Sequence, residues 1–529
     1  MVTKARSSLL SRRGFLKAAS ASALVTTAGG IARPAISYAN QRAPITHGIQ
    51  SGDVSLDSGM VWGRTDRPAR MLVEVSTTES FETIRHGMFV DALPETDFTA
   101  KALIEGLPAG QDIFYRVSFQ DLHSPTIIGE PRIGRFRTAP TERRSISFLW
   151  SGDTAGCGWG IDESRGGMRT YATMLENRPD FFIHCGDTIY ADCPLDREWK
   201  LPNGEVWHNL VTEEKSRVAE TLADFRGNYK YNLLDKNVLA FNEQVPVLAM
   251  WDDHEVMNDW FPDQMFKSLS GEEQSAMLLA ARGSRAFREY MPMRESSAES
   301  GRIYRRISYG PLLDVFLLDM RSYRGPNDKQ QVPLLGADTA LLGAVQSAWL
   351  KRELMNSRAT WKVIAADLPI GLVSADAVAQ GDGPPLGREL EIADILSFVK
   401  HAGVGNTVWL TADMHYTAAH HYDPSRAAFQ DFDPFWEFVS GPLHAGTWGP
   451  QPLDNTFGPR AIYEKGCSAE QGENLSPYFG LQFFGHVAID GATEVMTVTL
   501  KDADNLNLWS TEIHPKFDSR AALRRGVAL

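Results

Sequence analysis

The sequence predicts an α/β protein in two parts, a small β-sandwich followed by a larger domain in which strands alternate with helices. Short apolar segments separated by Gly, Pro and Asp turns run from about residue 44 to 138, a rhythm typical of a sandwich. From residue 145 onward, apolar strands alternate with longer helical segments. Polar residues that can bind metal follow four of these later strands, which predicts a site at the sheet edge.

Composition limits the classes of function. The chain has 529 residues, enough for a large catalytic domain and a smaller companion. A formal net charge of -13 argues against nucleic acid as a stable partner, because no basic surplus is present to neutralise a phosphate backbone. Four cysteines are too few for a disulfide framework, although Cys185 and Cys193 remain a possible pair.

The N-terminus has the organisation of an export signal. An Arg pair in the segment Ser11–Lys17 precedes an Ala/Ser/Thr/Gly-rich run, and a small-residue cleavage site ends at Ala39. This order resembles a twin-arginine signal peptide over residues 1–39, so we expect the twin-arginine export machinery as a partner and a periplasmic or secreted location. Residues 40–140 are then the β-sandwich domain and 145–515 the catalytic domain. No later stretch is long and apolar enough for a transmembrane anchor after signal removal.

The apolar pattern places the main elements. Strands are predicted at 59–63, 71–75 and 112–119 in the first part, and at 146–150, 181–185, 245–251, 312–319, 361–366, 407–411 and 495–500 in the second. Helices are predicted at 167–175 and 272–290.

Metal-capable residues follow four of the predicted strands. They are Asp153 after the first, Asp187 and Tyr190 after the second, Asp253 and His254 after the third, and Asp413 and His415 after the fourth. Each alone has an ordinary explanation, since an Asp after a strand is usually a turn or cap residue. Their recurrence at successive strand ends favours one shared metal site built mainly from hard oxygen donors.

Three motifs carry a resemblance to a known family. The opening segment Gly48–Arg64, the segment Gly186–Tyr190 and the segment Trp251–Val256 resemble the PhoD-like alkaline phosphatase and phosphodiesterase family of the calcineurin-like metallophosphoesterases. The resemblance covers nearly the whole mature chain. It implies a fibronectin-like or immunoglobulin-like sandwich followed by a four-layer αββα metallophosphoesterase domain. It also implies that Asp187 bridges two metals and that Tyr190 is a ligand.

The same resemblance assigns the remaining ligands. Asp153 matches the first-block aspartate, Asp253 replaces the Asn of an Asn-His-Glu block, and Asp413 replaces the first His of a His-x-His ending at His415. Carboxylates in place of nitrogen donors make one of the two metal positions more suitable for a hard cation. Phenolate, carboxylate and imidazole together suit Fe³⁺ at the other position. The resemblance and the donor types imply an iron (Fe³⁺) and calcium (Ca²⁺) centre, with Mn²⁺ or Mg²⁺ possible in place of Ca²⁺.

Two further ligand assignments remain open. The superfamily has an imidazole where this chain has Ala155, and the resemblance implies that Cys157 fills the vacancy as a thiolate. The alternative is a packed, unligated cysteine in a glycine-flanked loop that approaches the metals or substrate closely. Asn258, after the third strand, is a possible oxygen ligand at the harder site.

The resemblance implies an exported metal-dependent phosphoester hydrolase of the alkaline phosphatase D type, acting through a metal-activated hydroxide on a small-molecule or lipid phosphoester. His254 is the candidate for protonating the leaving oxygen or stabilising the transition state. One alternative is a phosphodiesterase or phospholipase-D-type enzyme on the same site. Another is a non-catalytic exported binding protein, which the intact set of ligand residues argues against.

Overall fold

The computed structural model describes residues 42–296, 299–327, 331–374, 376–379 and 381–516. The predicted export signal at residues 1–39 lies outside this described part. None of the helices in these ranges has the length and apolar character needed to span a bilayer.

Seven strands form the N-terminal part. They are β1 (Ile49–Gly52), β2 (Gly59–Arg64), β3 (Ala69–Ser76), β4 (His86–Ala92), β5 (Thr99–Ile104), β6 (Asp112–Asp121) and β7 (Arg132–Arg137). Strands β4-β3-β6-β7 make an antiparallel sheet, in which alternate residues of β6 from Ile113 to Phe119 are buried. This alternation is expected of a sheet with one buried face. Strands β1, β2 and β5 instead extend a larger sheet of the catalytic part.

Two large sheets organise the remainder of the chain. The strands are β8 (Ile146–Ser151), β9 (Phe181–Cys185), β10 (Glu198–Lys200), β11 (Val206–His208), β12 (Val247–Met250), β13 (Met265–Lys267), β14 (Glu273–Ser275), β15 (Arg305–Ser308), β16 (Leu313–Leu317), β17 (Trp361–Ala365), β18 (Thr407–Thr411), β19 (Thr417–Tyr422), β20 (Phe435–Val439), β21 (Pro459–Lys465), β22 (Phe483–Ile489), β23 (Met496–Asp502) and β24 (Asn507–Ile513). Among the described residues, one sheet has the order β24-β23-β22-β8-β9-β12-β1-β2-β5 and the other β15-β16-β17-β18-β20-β19-β21. Strands β8, β9 and β12 run parallel, as do β16, β17, β18 and β20. The pairs β10-β11 and β13-β14 form small separate hairpin sheets.

The described helices are α1 (Arg169–Glu176), α2 (Leu222–Asn232), α3 (Lys236–Asn242), α4 (Ala276–Tyr290), α5 (Gly343–Asn356) and α6 (Glu389–His401). The predicted helix at 272–290 began too early. Residues 273–275 belong to strand β14, and α4 starts only after Ser275, whose side chain accepts a hydrogen bond from the Met277 amide. A serine in this role satisfies a first-turn amide and fixes the helix start.

Alternating burial along the strands assembles the layers. In β8, Phe148 and Trp150 enter the core shared by the two large sheets, whereas Leu149 packs on the opposite side with α1 to α4. In β18, Val408 and Leu410 enter the shared core and Trp409 packs beside α5 and α6. Both faces of these strands are therefore buried, which explains their continuous apolar sequences. The result is a helix, sheet, sheet, helix arrangement.

Candidate metal centre

The first cluster of predicted ligands follows β8, β9 and β18. Ligand atoms of Asp153, Asp187 and His415 lie within 4.8 Å of one another, and all three residues are buried. His415 Nε2 is 2.8 Å from the Tyr190 hydroxyl and 3.7 Å from Asp153 Oδ1. Four residues predicted from three strand ends are thus brought together.

A second cluster begins at Asp187. Asp187, Asp253 and His254 have ligand atoms within 4.8 Å of one another, and so do Asp252, Asp253 and Asp413. Asp187 therefore belongs to both the imidazole-containing cluster of His415 and the group around Asp253. This is the position that a bridging carboxylate requires.

Carboxylate oxygens in the centre lack protein partners. Among the described residues, neither oxygen of Asp153 accepts a hydrogen bond, and Asp253 Oδ1 is also without one. Burial raises the pKa of Asp153, Asp187 and Asp413 well above the usual range. Because isolated buried charges are costly, these carboxylates need a cation or a proton, and the donor set fits bound metal ions.

The backbone at the strand ends is held in an uncommon conformation. Asp153, Asp187, Asp413 and His415 have φ values of 62°, 51°, 62° and 58°, in the left-handed region. Such positions cost about 1 kcal/mol or more for a residue other than glycine, and they cluster at functional sites. The carbonyl of Asp153 accepts hydrogen bonds from the amides of residues 443–445, which helps to hold the first loop.

Glu255 holds two of the site loops together. Its carboxylate accepts hydrogen bonds from the amides of Asp187 at 3.0 Å, Thr188 at 2.6 Å and Asp252 at 2.8 Å. The side chain is buried, and burial raises the pKa of Glu255 to about 7. Glu255 lies in one of the sequence motifs, but the sequence assigned it no role. In the structure its carboxylate connects the β9 loop to the β12 loop by hydrogen bonds.

His254 lies at the edge of the centre. Its ring packs on the Tyr190 ring at a centroid distance of 4.3 Å, and its Nδ1 is 2.6 Å from Asp192 Oδ1. Burial opposes a charged imidazole, but the carboxylates of Asp192, Asp253 and Asp187 outweigh it and raise the pKa of His254 well above its usual value. Sequence reasoning missed Asp192, although it lies in the same loop as Asp187 and five residues later.

Lys215 is a second residue that the sequence reasoning missed. Its ammonium group is buried and donates hydrogen bonds to the Tyr190 carbonyl at 2.6 Å and to Asn228 Oδ1 at 2.9 Å. Burial lowers the pKa of Lys215 to about 8. This lysine fixes the backbone of the loop that carries Tyr190, and no local motif marks it.

Cys157 is half-buried, and its thiol interacts with that of Cys193. The disulfide between Cys185 and Cys193 that the sequence left possible is not formed. All four cysteines are free, and Cys185 is buried in β9 with its sulfur 3.9 Å from the Leu410 carbonyl. Next to Cys157, Gly156 is required by packing, because a Cβ there would lie 2.0 Å from the Tyr190 ring.

Asn258 is exposed, unlike the other predicted ligands. Its backbone amide donates a hydrogen bond to Asp192 Oδ2 at 2.7 Å. The neighbouring Asp259 instead approaches the centre, and its ligand atoms lie within 4.8 Å of those of Asp253 and Asp376. The ligand role of Asn258 stays a prediction.

Comparison with known proteins agrees with this architecture. The family model described as PhoD-like phosphatase matches residues 148–500, and that of the PhoD-like phosphatase N-terminal domain matches residues 30–140. Alkaline phosphatase D of Bacillus subtilis (strain 168) is 27% identical over 446 residues, covering 78% of this chain and 71% of that protein.

Two solved structures share the fold. A structure of PhoD superposes with a TM-score of 0.67 at 20% identity, covering 93% of this chain and 94% of that one. Purple acid phosphatase PPD1 from yellow lupin (Lupinus luteus) seeds has a TM-score of 0.54 at 12% identity, covering 91% and 76%.

The match to the PhoD-like phosphatase model over residues 148–500 and the similarity to alkaline phosphatase D define the class, a metal-dependent phosphoesterase, and the carboxylate centre at the strand ends agrees with it. Within that class, the chain belongs to the PhoD-like phosphatase family.

Proposed function

We propose that this protein is an exported phosphoester hydrolase of the alkaline phosphatase D type with a mixed metal centre. The observation that carries the proposal is the convergence of buried ligand groups from four strand ends, with unpartnered oxygens on Asp153 and Asp253. Asp153, Asp187, Tyr190 and His415, together with Cys157, would hold Fe³⁺. Their phenolate, thiolate, carboxylate and imidazole donors suit that ion.

The harder position would hold Ca²⁺, or Mn²⁺ or Mg²⁺ in its place. Asp187, Asp253 and Asp413 would supply oxygen ligands, with Asn258 as a further candidate. Sharing of Asp187 between the two positions supports a binuclear centre. The carboxylate-rich donor set favours a hard cation here over zinc, which prefers nitrogen and sulfur donors.

When bound, such metals neutralise charge on the phosphoryl group and activate water near neutral pH. His254 would donate a proton to the leaving oxygen, because the carboxylate of Asp192, which is not among the proposed metal ligands, favours its charged form. Asp192 at 2.6 Å orients the ring by accepting from Nδ1, which leaves Nε2 as the proton donor. The Tyr190 ring packs against the imidazole ring of His254 and restricts its rotation.

The organisation of the whole chain is part of this proposal. Residues 1–39 would be the twin-arginine signal, 40–140 a fibronectin-like or immunoglobulin-like sandwich and 145–515 the catalytic domain. The antiparallel sheet β4-β3-β6-β7 supports the sandwich assignment. Export would place the enzyme in the periplasm or the medium, where a small-molecule or lipid phosphoester would be the substrate.

The test uses purified protein, a nitrophenyl phosphate monoester and the matching bis-nitrophenyl diester. We expect hydrolysis that is lost on treatment with a chelator and restored by added metal, with iron and calcium found by elemental analysis. Faster turnover of the diester would assign a phosphodiesterase. A protein that carries no metal and hydrolyses neither substrate would refute the proposal.

A matched control variant is Asp180→Asn. Asp180 is a carboxylate that accepts a hydrogen bond from the Ser147 amide at 3.0 Å and lies in none of the candidate metal clusters. Its substitution should leave metal content and the chelator response unchanged. A fall in metal content equal to that of a centre variant would show that the measurement reports folding and not ligation.

A further inference from the structure

Arg321 lies at the inner end of the carboxylate centre. It follows strand β16, and its side chain is fully buried. Its Nη2 is 2.6 Å from Asp252 Oδ1, and its Nε is 3.0 Å from Asp367 Oδ2. Its Nη1 is 2.5 Å from Asp376 Oδ2. One guanidinium group therefore joins a carboxylate of the β12 loop to two carboxylates of the connection between β17 and α6.

Arg321 also contacts two of the predicted metal ligands. Its Nη2 is 3.4 Å from Asp413 Oδ1, and its Nη1 is 4.0 Å from Asp253 Oδ2. Asp253 belongs to the nine-stranded sheet's β12 loop, and Asp413 follows β18 of the other sheet. Arg321 thus connects the two halves of the harder position, while Asp253 Oδ1 keeps no protein partner among the described residues.

The balance of charges favours a bound cation there, because five carboxylates meet only two buried guanidinium groups, those of Arg321 and Arg324. Five carboxylates, those of Asp252, Asp253, Asp367, Asp376 and Asp413, surround Arg321 within 4.0 Å. Such a group of buried anions is unfavourable unless fixed positive charge compensates it. The planar fork of an arginine can contact several carboxylates at once, whereas the single ammonium group of a lysine cannot do so in the same geometry.

We propose that Arg321 is a positioning residue of the metal centre, which holds Asp413 and Asp253 in place for the harder cation and supplies permanent positive charge behind them. This inference rests on the proposed metal centre and adds a residue that no ligand motif contains. Substitution of residues that hydrogen-bond to metal ligands without binding the metal themselves typically lowers metal affinity about 10- to 100-fold. Arg321 acts through the carboxylates it contacts.

The test measures calcium release from purified full-length protein that has been equilibrated with Ca²⁺. Mixing with a fluorescent calcium chelator gives the release rate directly. For Arg321→Lys we expect release to be about 10- to 100-fold faster than in the wild type, since lysine keeps the charge but loses the fork. Iron content, measured on the same samples, should change less, because the ion pairs of Arg321 within the described part of the chain involve neither Asp153 nor His415.

Arg305→Lys is the matched control. Arg305 is a buried arginine that makes a forked pair with Asp53, at 2.7 and 2.8 Å, and Asp53 belongs to none of the candidate cation clusters. Arg305→Lys loses a two-hydrogen-bond contact between arginine and carboxylate elsewhere in the fold, and its calcium release should match that of the wild type. A general loss of stability would appear equally in both variants.

A second variant covers the case in which Arg321→Lys does not fold. Asp367→Asn removes a charge that contacts Arg321 but belongs to none of the candidate cation clusters. It should accelerate calcium release several-fold. Release within twofold of the wild type in whichever of these variants folds, or equal acceleration in Arg305→Lys, would overturn the inference. A wild-type protein that carries neither calcium nor iron would overturn the proposed function itself.

Discussion

Replacement of Asp192 by asparagine tests the proposed role of His254 as the general acid. The carboxylate lies 2.6 Å from His254 Nδ1, and the two side chains are only 15% and 11% exposed. Asparagine keeps the size of the side chain and an oxygen for the Asn258 amide, but it removes the negative charge. The variant therefore changes the electrostatics of His254 with little change in packing.

The size of the effect follows from this contact. A hydrogen bond to a charged group contributes about 1.5 to 3 kcal/mol. One unit of pKa corresponds to about 1.36 kcal/mol, so the pKa of His254 should fall by about 1 to 2 units. The loss of orientation and charge should lower kcat by about 10- to 100-fold at the optimum.

The shift of the kcat–pH profile in Asp192→Asn has an expected direction. In the proposed mechanism, protonated His254 is the acid, so activity should decline as pH rises through its raised pKa. Asp192→Asn lowers that pKa, and the alkaline limb of the kcat profile should move to lower pH. The assay is nitrophenyl phosphate hydrolysis between pH 6 and 11, and the control is Asp180→Asn. An unchanged alkaline limb in a folded, metal-loaded Asp192→Asn variant would refute the assignment of His254 as the acid.

Three other substitutions test the centre. Asp187→Ala should abolish hydrolysis and lose both metals by elemental analysis, because one carboxylate serves both clusters, and full metal retention would contradict the bridging role. If Cys157 is an iron ligand, Cys157→Ser should weaken iron retention and shift the visible charge-transfer band, whereas an unchanged spectrum would leave it a packed loop residue. Lys215→Met should lower kcat by roughly 10-fold through loss of the hydrogen bond to the Tyr190 carbonyl, with metal content near normal, and an unaltered kcat would exclude that role.

Several features of the fold and the centre could be read from the sequence because they depend on local pattern. Strand β18 was predicted with its observed bounds, since a five-residue apolar segment is too short for a typical helix and has the length of a buried strand. Asp153, Asp187 and Asp413 were found because each lies two residues after the end of an apolar strand. The start of α4 was missed, because the preceding residues pair with β13 in a hairpin that helix periodicity does not distinguish.

Other features were decided only by tertiary structure. Arg321 meets Asp252 and Asp413 across 69 and 92 positions of the chain, and Lys215 reaches the Tyr190 carbonyl across 25. The proximity of Cys157 to Cys193 likewise depends on how two loops fold over the sheet edge. Sequence periodicity determined which residues are buried and where strands end, because those properties repeat along the chain. The partners of each buried charge depend on loop paths and on layers packed together, so only the folded chain could specify them.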